Sequence, residues 1–135
     1  MGRVFALIAA ATMLMGFAAP AFAPGQVWSY DHRAKDEGSL LKIQKIGKRN
    51  GQPVYHVSLI QVSVNGFPID VHHMPFTKEA LTKSVRTKVA DPGGFPEAGP
   101  SIEEWNDNKG GVFTIPVKEA TELLELSMKP AGSKN

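Results

Sequence analysis

The residues of this chain best suited to chemistry are four histidines and their polar neighbours: His32, His56 with Ser58, and the run Asp70-Val71-His72-His73-Met74. An imidazole is a metal ligand or a general base when a second group positions it. A β-hairpin that brings residues 56 and 73 side by side would give two ligands of one metal site, so His56 and His73 are the candidate metal pair. A catalytic zinc site requires a third protein ligand, and only His32 or an acid from elsewhere is available to supply it. Met74 next to His73 would favour copper, because thioethers are soft ligands. Ser58 beside His56 or His73 is a weaker nucleophile–base pair, since no acid is placed to orient the base. Hydrogen-bonded strand histidines with no such role are the simpler reading, and no catalytic residue or cofactor is assigned.

Other chemistries are excluded by absence. The chain has no Cys, so disulfides, thiolate metal sites and thiol catalysis are impossible. It also lacks a phosphate-binding loop ending in Lys and Ser or Thr, a His-Glu-x-x-His helix and a Gly-x-Ser-x-Gly elbow.

Two strands must position the histidines. Val54 to Val64 is a long β-prone run, Asn65-Gly66 is the preferred type I′ turn pair, and Phe67 to Phe76 returns. With a two-residue loop, paired positions sum to 131. One face then carries Val64, Phe67, Val62, Ile69, Ile60 and Val71, followed by Ser58, His73 and His56. The other begins polar at Ser63, Gln61 and Asp70 and becomes apolar through Leu59, Val57, Met74, Tyr55 and Phe76. An apolar side that changes face partway along is expected of a strongly twisted ribbon. A bulge would shift the register and separate His56 from His73.

Upstream, Gln26–His32 and Leu40–Ile46 read as two further strands, joined to the hairpin by the turn-forming stretch Gly47 to Pro53. Downstream the signals are helical. Thr77 caps a short helix through Ala80, Leu81 and Val85; Ser101-Ile102-Glu103-Glu104 is a capping box that starts a second helix with Trp105 inward. A third helix after Pro116 buries Val117, Ala120, Leu123, Leu124 and Leu126, and Val112–Ile115 is extended between them. The fold class is α+β: a curled antiparallel sheet or partial barrel of four to five strands, followed by two to three short helices.

The first 23 residues read as a leader. Arg3, the apolar run Val4 to Phe17 and the small-x-small site Ala21-Phe22-Ala23 are the three parts of a secretory signal peptide. Cleavage there leaves 112 residues, 24 to 135, with a single compact domain over 24–128, a flexible tail over 129–135 and no further apolar run of spanning length. The expected location is periplasmic or secreted.

Charge is unevenly distributed. Residues 24–88 hold ten Lys or Arg against five acids, whereas residues 89–135 hold four Lys against eight acids. The plain expectation is a basic sheet attracting acidic helices within one domain. The functional alternative is a basic loop, Lys45, Lys48 and Arg49, that docks an anionic partner. Nucleic acid is not expected to be that partner of an exported chain. A protein partner in the envelope, with the chain acting as an inhibitor-like or immunity-like binding module, is the leading reading. A small metal-dependent or hydrolytic enzyme using His56 and His73, and a structural envelope component, are the alternatives.

The segments Pro24-Gly25-Gln26-Val27-Trp28-Ser29-Tyr30, His73-Met74-Pro75-Phe76-Thr77-x-Glu79-Ala80-Leu81-x-x-Ser84-Val85 and Gly110-Gly111-Val112-Phe113-Thr114-Ile115-Pro116-Val117 resemble segments of small uncharacterised bacterial proteins. The resemblance implies one compact domain and brings no activity or site with it.

Overall fold

Two Asn-Gly pairs reverse the chain, and the sheet is built around them. Asn50-Gly51 and Asn65-Gly66 all take positive φ, at 52°, 78°, 51° and 87°, the left-handed conformation that both central residues of a type I′ turn require. Each pair joins two long strands directly: β2 (Leu40–Arg49) to β3 (Gln52–Val64), and β3 to β4 (Phe67–Phe76). β1 (Val27–Tyr30) pairs with β2, and β5 (Val85–Val89) pairs with β1. The computed structural model describes residues 20–128 and gives an open antiparallel sheet in the order β4-β3-β2-β1-β5. The sheet is not closed into a barrel. The leader expected over residues 1–23 lies outside the described residues except for its last four, and so does the tail expected over 129–135.

One face of the sheet carries the core. Trp28, Tyr30, Leu41, Ile43, Tyr55, Val57, Leu59, Val62, Val64, Val71, Met74 and Phe76 form one buried cluster, closed by Ala80 and Leu81 of helix α1 (Lys78–Ser84) and Val117 and Ala120 of helix α3 (Val117–Ser127). Helix α2 (Gly99–Asp107) lies on the opposite face. Phe22 adds an edge-to-face contact to both Trp28 and Tyr55, at 5.7 and 5.4 Å between centroids. Cleavage after Ala23 would therefore uncover one side of each ring. Among the described residues no helix is long and apolar enough to cross a membrane.

The register of the hairpin explains why the apolar side changes face. Val64↔Phe67, Val62↔Ile69, Val57↔Met74 and Tyr55↔Phe76 all sum to 131, but Leu59 pairs with Val71, one short of it. One extra residue in β3 between Leu59 and Val62, where Gln61 takes φ 56°, makes the first slip. One extra residue in β4 between Val71 and Met74 undoes it. The change of face comes from these two bulges rather than from smooth twist, since an inserted residue inverts the alternation of every residue beyond it.

Several boundaries differ from the sequence reading. Val85 does not continue α1. The helix stops at Ser84 and the alternating Val85-Arg86-Thr87-Lys88-Val89 becomes the edge strand β5, its three central residues exposed and its β-branched ends half-buried. Helix α2 starts at Gly99 rather than at the capping box, with Pro100 in its first turn, where a missing N–H costs nothing. On α3, Leu123 and Leu126 are about half exposed and Thr121 is buried in their place. The segment around Phe113 does pair with the sheet, through Thr77 N–H to Phe113 O and Phe113 N–H to Pro75 O. Thr77 caps α1 as expected, accepting from Ala80 N–H at 3.2 Å.

The split of charge between the two halves is used inside the fold. Lys42 pairs with Asp91, Lys35 with Glu125, and Arg33 with Glu122 and Glu125.

Candidate functional site

Bulges in three neighbouring strands set the outer face. In β2 the pairing moves from Ile43↔Val57 to Lys45↔His56, so Gln44 is the inserted residue. Without it Lys45 would follow Ile43 onto the core face. The bulges of β3 and β4 likewise carry His56, Ser58 and His73 away from the core, because Tyr55, Val57 and Met74 now occupy that side. Bulges that re-aim side chains in this way are common beside functional sites.

His56 and His73 are brought together. His56 Nδ1 lies 2.8 Å from His73 Nε2, a hydrogen bond, and the rings stack at 5.0 Å between centroids. The pairing His56↔Pro75 leaves His73 as the diagonal neighbour of His56 on the same face. Burial holds both imidazoles neutral. The His56 pKa falls to about 4, first through desolvation, then through His73, Lys45 and Arg49, and the His73 pKa is lowered by desolvation.

This geometry bears on each chemical candidate. A chelated ion would have to replace the His56–His73 hydrogen bond, and among the described residues no group of three or more His, Cys, Asp or Glu could hold a metal. His32 sits apart from the pair, its Nδ1 2.7 Å from the Arg33 carbonyl and its ring edge-on to Tyr30. Ser58 Oγ donates to the His72 carbonyl at 2.6 Å and accepts from Gln44 Nε2 at 3.1 Å. Its proton is thus engaged on backbone rather than on a base. His72 is exposed, and Asp70 accepts from Gln61 N–H at 3.4 Å.

Trp105, expected to face inward, closes the site. Its indole stands edge-on to His56 and His73 at 5.0 and 5.9 Å, and Nε1–H donates to Gly111 O at 2.8 Å. Arg49 lies over the indole with its guanidinium carbon 3.9 Å from the centroid and donates to Gly110 O. A cation over a Trp face contributes about 0.5–2 kcal/mol. Arg49, expected in the basic docking loop, is therefore committed to holding α2 and the residues after it. Lys45 and Lys48 remain exposed. The loop before α2 is tied down separately, since Gln44 Nε2 also donates to Pro96 O at 3.0 Å.

Gly110 allows this closure. A methyl group there would overlap the indole, lying within 2.6 Å of Nε1. Gly110→Ala should lower stability by about 1–3 kcal/mol, measured by urea titration, and Gly110→Ala in a Trp105→Ala background should cost almost nothing further. Equal costs in both backgrounds would show that the indole and residue 110 do not compete for space.

Lys45, Lys48 and His56 also share a surface cavity of about 270 Å³ with Trp105, Glu103 and Asn106 of α2. The two sets of residues singled out in the sequence, the basic loop and the histidine pair, thus belong to one site. Trp105, Gln44 and Asn106 were missed as members of it, and only the inward placing of Trp105 carried any signal. Comparison of the chain with family models, with curated proteins and with solved structures finds no match.

Proposed function

We propose that the chain is an exported, non-enzymatic binding domain. Its docking face is the end of the β2–β3 hairpin together with α2, and its partner is a protein of the cell envelope. The observation that carries this reading is the cavity between Lys45 and Lys48 on one side and α2 on the other. Neither lysine has an ion-pair partner among the described residues, although Lys35 and Lys42 do. The other basic groups of that half of the chain are partly spent within the fold, and these two are presented outward.

The test is capture from an envelope fraction by the tagged protein, read by mass spectrometry. Lys45→Glu with Lys48→Glu should reduce recovery of a stoichiometric partner by tenfold or more, because opposed charges at a docking face are repulsive. Arg49 is left unchanged because its loss would disturb α2. Unchanged capture by the double variant would refute the basic docking face.

The enzymatic alternative keeps only the histidine pair. Ser58 is held by the His72 carbonyl and Gln44, so a nucleophile–base contact would require rearranging both hydrogen bonds.

A further inference from the structure

His56 is 3 % exposed, yet its ring is not fully satisfied. Nδ1 is bonded to His73, whereas Nε2 has no hydrogen-bond partner among the described residues. Every fully buried side-chain nitrogen or oxygen there has one, so Nε2 is not sealed from solvent. It points toward Gly47, where a methyl group would lie 3.5 Å away, and Gly47 and His56 both line the cavity described above. A nearly buried imidazole therefore offers one unpartnered nitrogen at the floor of a pocket whose walls carry Lys45 and Lys48.

The hydrogen bond between the rings has two proton arrangements. When His73 Nε2–H donates to His56 Nδ1, the proton of neutral His56 resides on Nε2 and faces the cavity. An anion in the cavity selects that arrangement, because it accepts from Nε2–H and is attracted by both ammonium groups. Asn106 supplies a neutral amide on the α2 side. Glu103 lines the same cavity, so its charged lining, Lys45, Lys48 and Glu103, sums to +1, and Arg49, which acts on His56 from over the indole, raises the balance to +2. A positive balance beside the Trp105 indole fits a carboxylate carried on a carbon chain.

We infer that this cavity is a carboxylate-binding pocket in which His56 Nε2–H is the buried donor, Lys45 and Lys48 are the neutralising charges, and Trp105 is the apolar wall. The inference rests on the binding-domain reading and names the chemistry that such a face would recognise. About 270 Å³ accommodates a carboxylate on a short carbon chain. Such a group is the end of an acidic side chain, a peptide C-terminus or a free small acid.

The experiment is an NMR titration of the full chain at constant pH and ionic strength, following the His56 ring and the Trp105 indole. Glutarate, a glutamate-rich peptide and inorganic phosphate are the three probes, and sodium chloride is the control. Glutarate should shift both sets of resonances saturably, with at least tenfold weaker binding in Lys45→Gln and in Lys48→Gln. Saturation by the peptide at lower concentration than glutarate would assign the carboxylate to a protein partner; the reverse order would assign it to a free acid. Silence of His56 and Trp105 with all probes, the chloride effect reproduced by each, or phosphate binding more tightly than glutarate would overturn the inference. Failure here with lysine-dependent capture intact removes the pocket and leaves the docking face. Saturable binding here with no captured partner retains the pocket and removes the macromolecular reading.

Discussion

Replacing Arg33 by Ala should destabilise the fold by about 3–5 kcal/mol, the usual cost of leaving a buried charge without its partner. All five N–H groups of this guanidinium are placed. Nε and Nη2 fork onto Asp36 at 2.7 and 3.0 Å, Nη2 also reaches Ser63 O at 2.8 Å, and Nη1 reaches Glu122 and Glu125 at 2.9 and 2.7 Å. Asp36 is fully buried and accepts from Ser63 N–H as well, at 2.8 Å. The group thus joins the 3-10 turn Ala34–Asp36, the end of β3 and helix α3. Glu122 is half exposed and contributes little, about 0.5 kcal/mol; the loss comes from stranding Asp36. Arg33→Met with Asp36→Leu should therefore be less destabilised than Arg33→Ala alone, and Arg33→Lys should fall short of wild type because an ammonium cannot make the fork. Urea titration gives all three values. A loss below about 1 kcal/mol in Arg33→Ala would mean that water replaces the guanidinium at Asp36.

Which features could be read from the sequence follows from how locally each is determined. The Asn65-Gly66 turn is set by two residues, and the register sum of 131 is recovered at both ends of the hairpin. The bulges between those ends depend on which side chains the core accepts. Leu59 and Val71 both belong to the buried cluster, and placing them opposite each other forces one extra residue into each strand. The sequence reading therefore put His56 and His73 together, opposite Tyr55, Val57, Met74 and Phe76 as in the structure, but ran their face on through Val62, Val64 and Val71, which the bulges turn to the core side. Val85–Val89 was hidden because Lys83 in the last turn of a short helix, followed by Arg86 and Lys88, resembles a longer helix C-terminus, and only pairing with β1 distinguishes the two. The closure of the site by Trp105 joins residues 49, 56, 73, 105 and 110, which no periodicity connects. The convergence of Lys45 with His56 depends on one inserted residue, Gln44.

Acidification should weaken the fold in two stages, the first of which belongs to the histidine pair. A histidine whose pKa is about 4 when folded and about 6.5 when unfolded binds its proton less readily in the fold. Between those values the unfolded chain holds more protons, so stability rises with pH across the window. Its contribution is complete above pH 6.5 and is lost as pH falls through 4. The full shift corresponds to about 3 kcal/mol; because Nε2 opens toward water, screening reduces the expected loss to about 2 kcal/mol. His73, shifted in the same direction by desolvation, adds to the slope. The second stage belongs to Glu125, whose pKa is lowered to about 2, first by Asn65 N–H and then by Lys35 and Arg33. A depressed carboxylate contributes above its ordinary pKa of 4.5 and ceases to do so as pH falls toward 2. Urea titrations from pH 7.5 to 3 would resolve the stages. His56→Phe should flatten the curve between pH 6.5 and 4 and leave the later fall unchanged. An equally steep early fall in that variant would assign the protons elsewhere. A flat wild-type curve would show that the imidazoles are hydrated in the fold, because desolvation is the main cause of their shifts and only its loss returns them to the ordinary range.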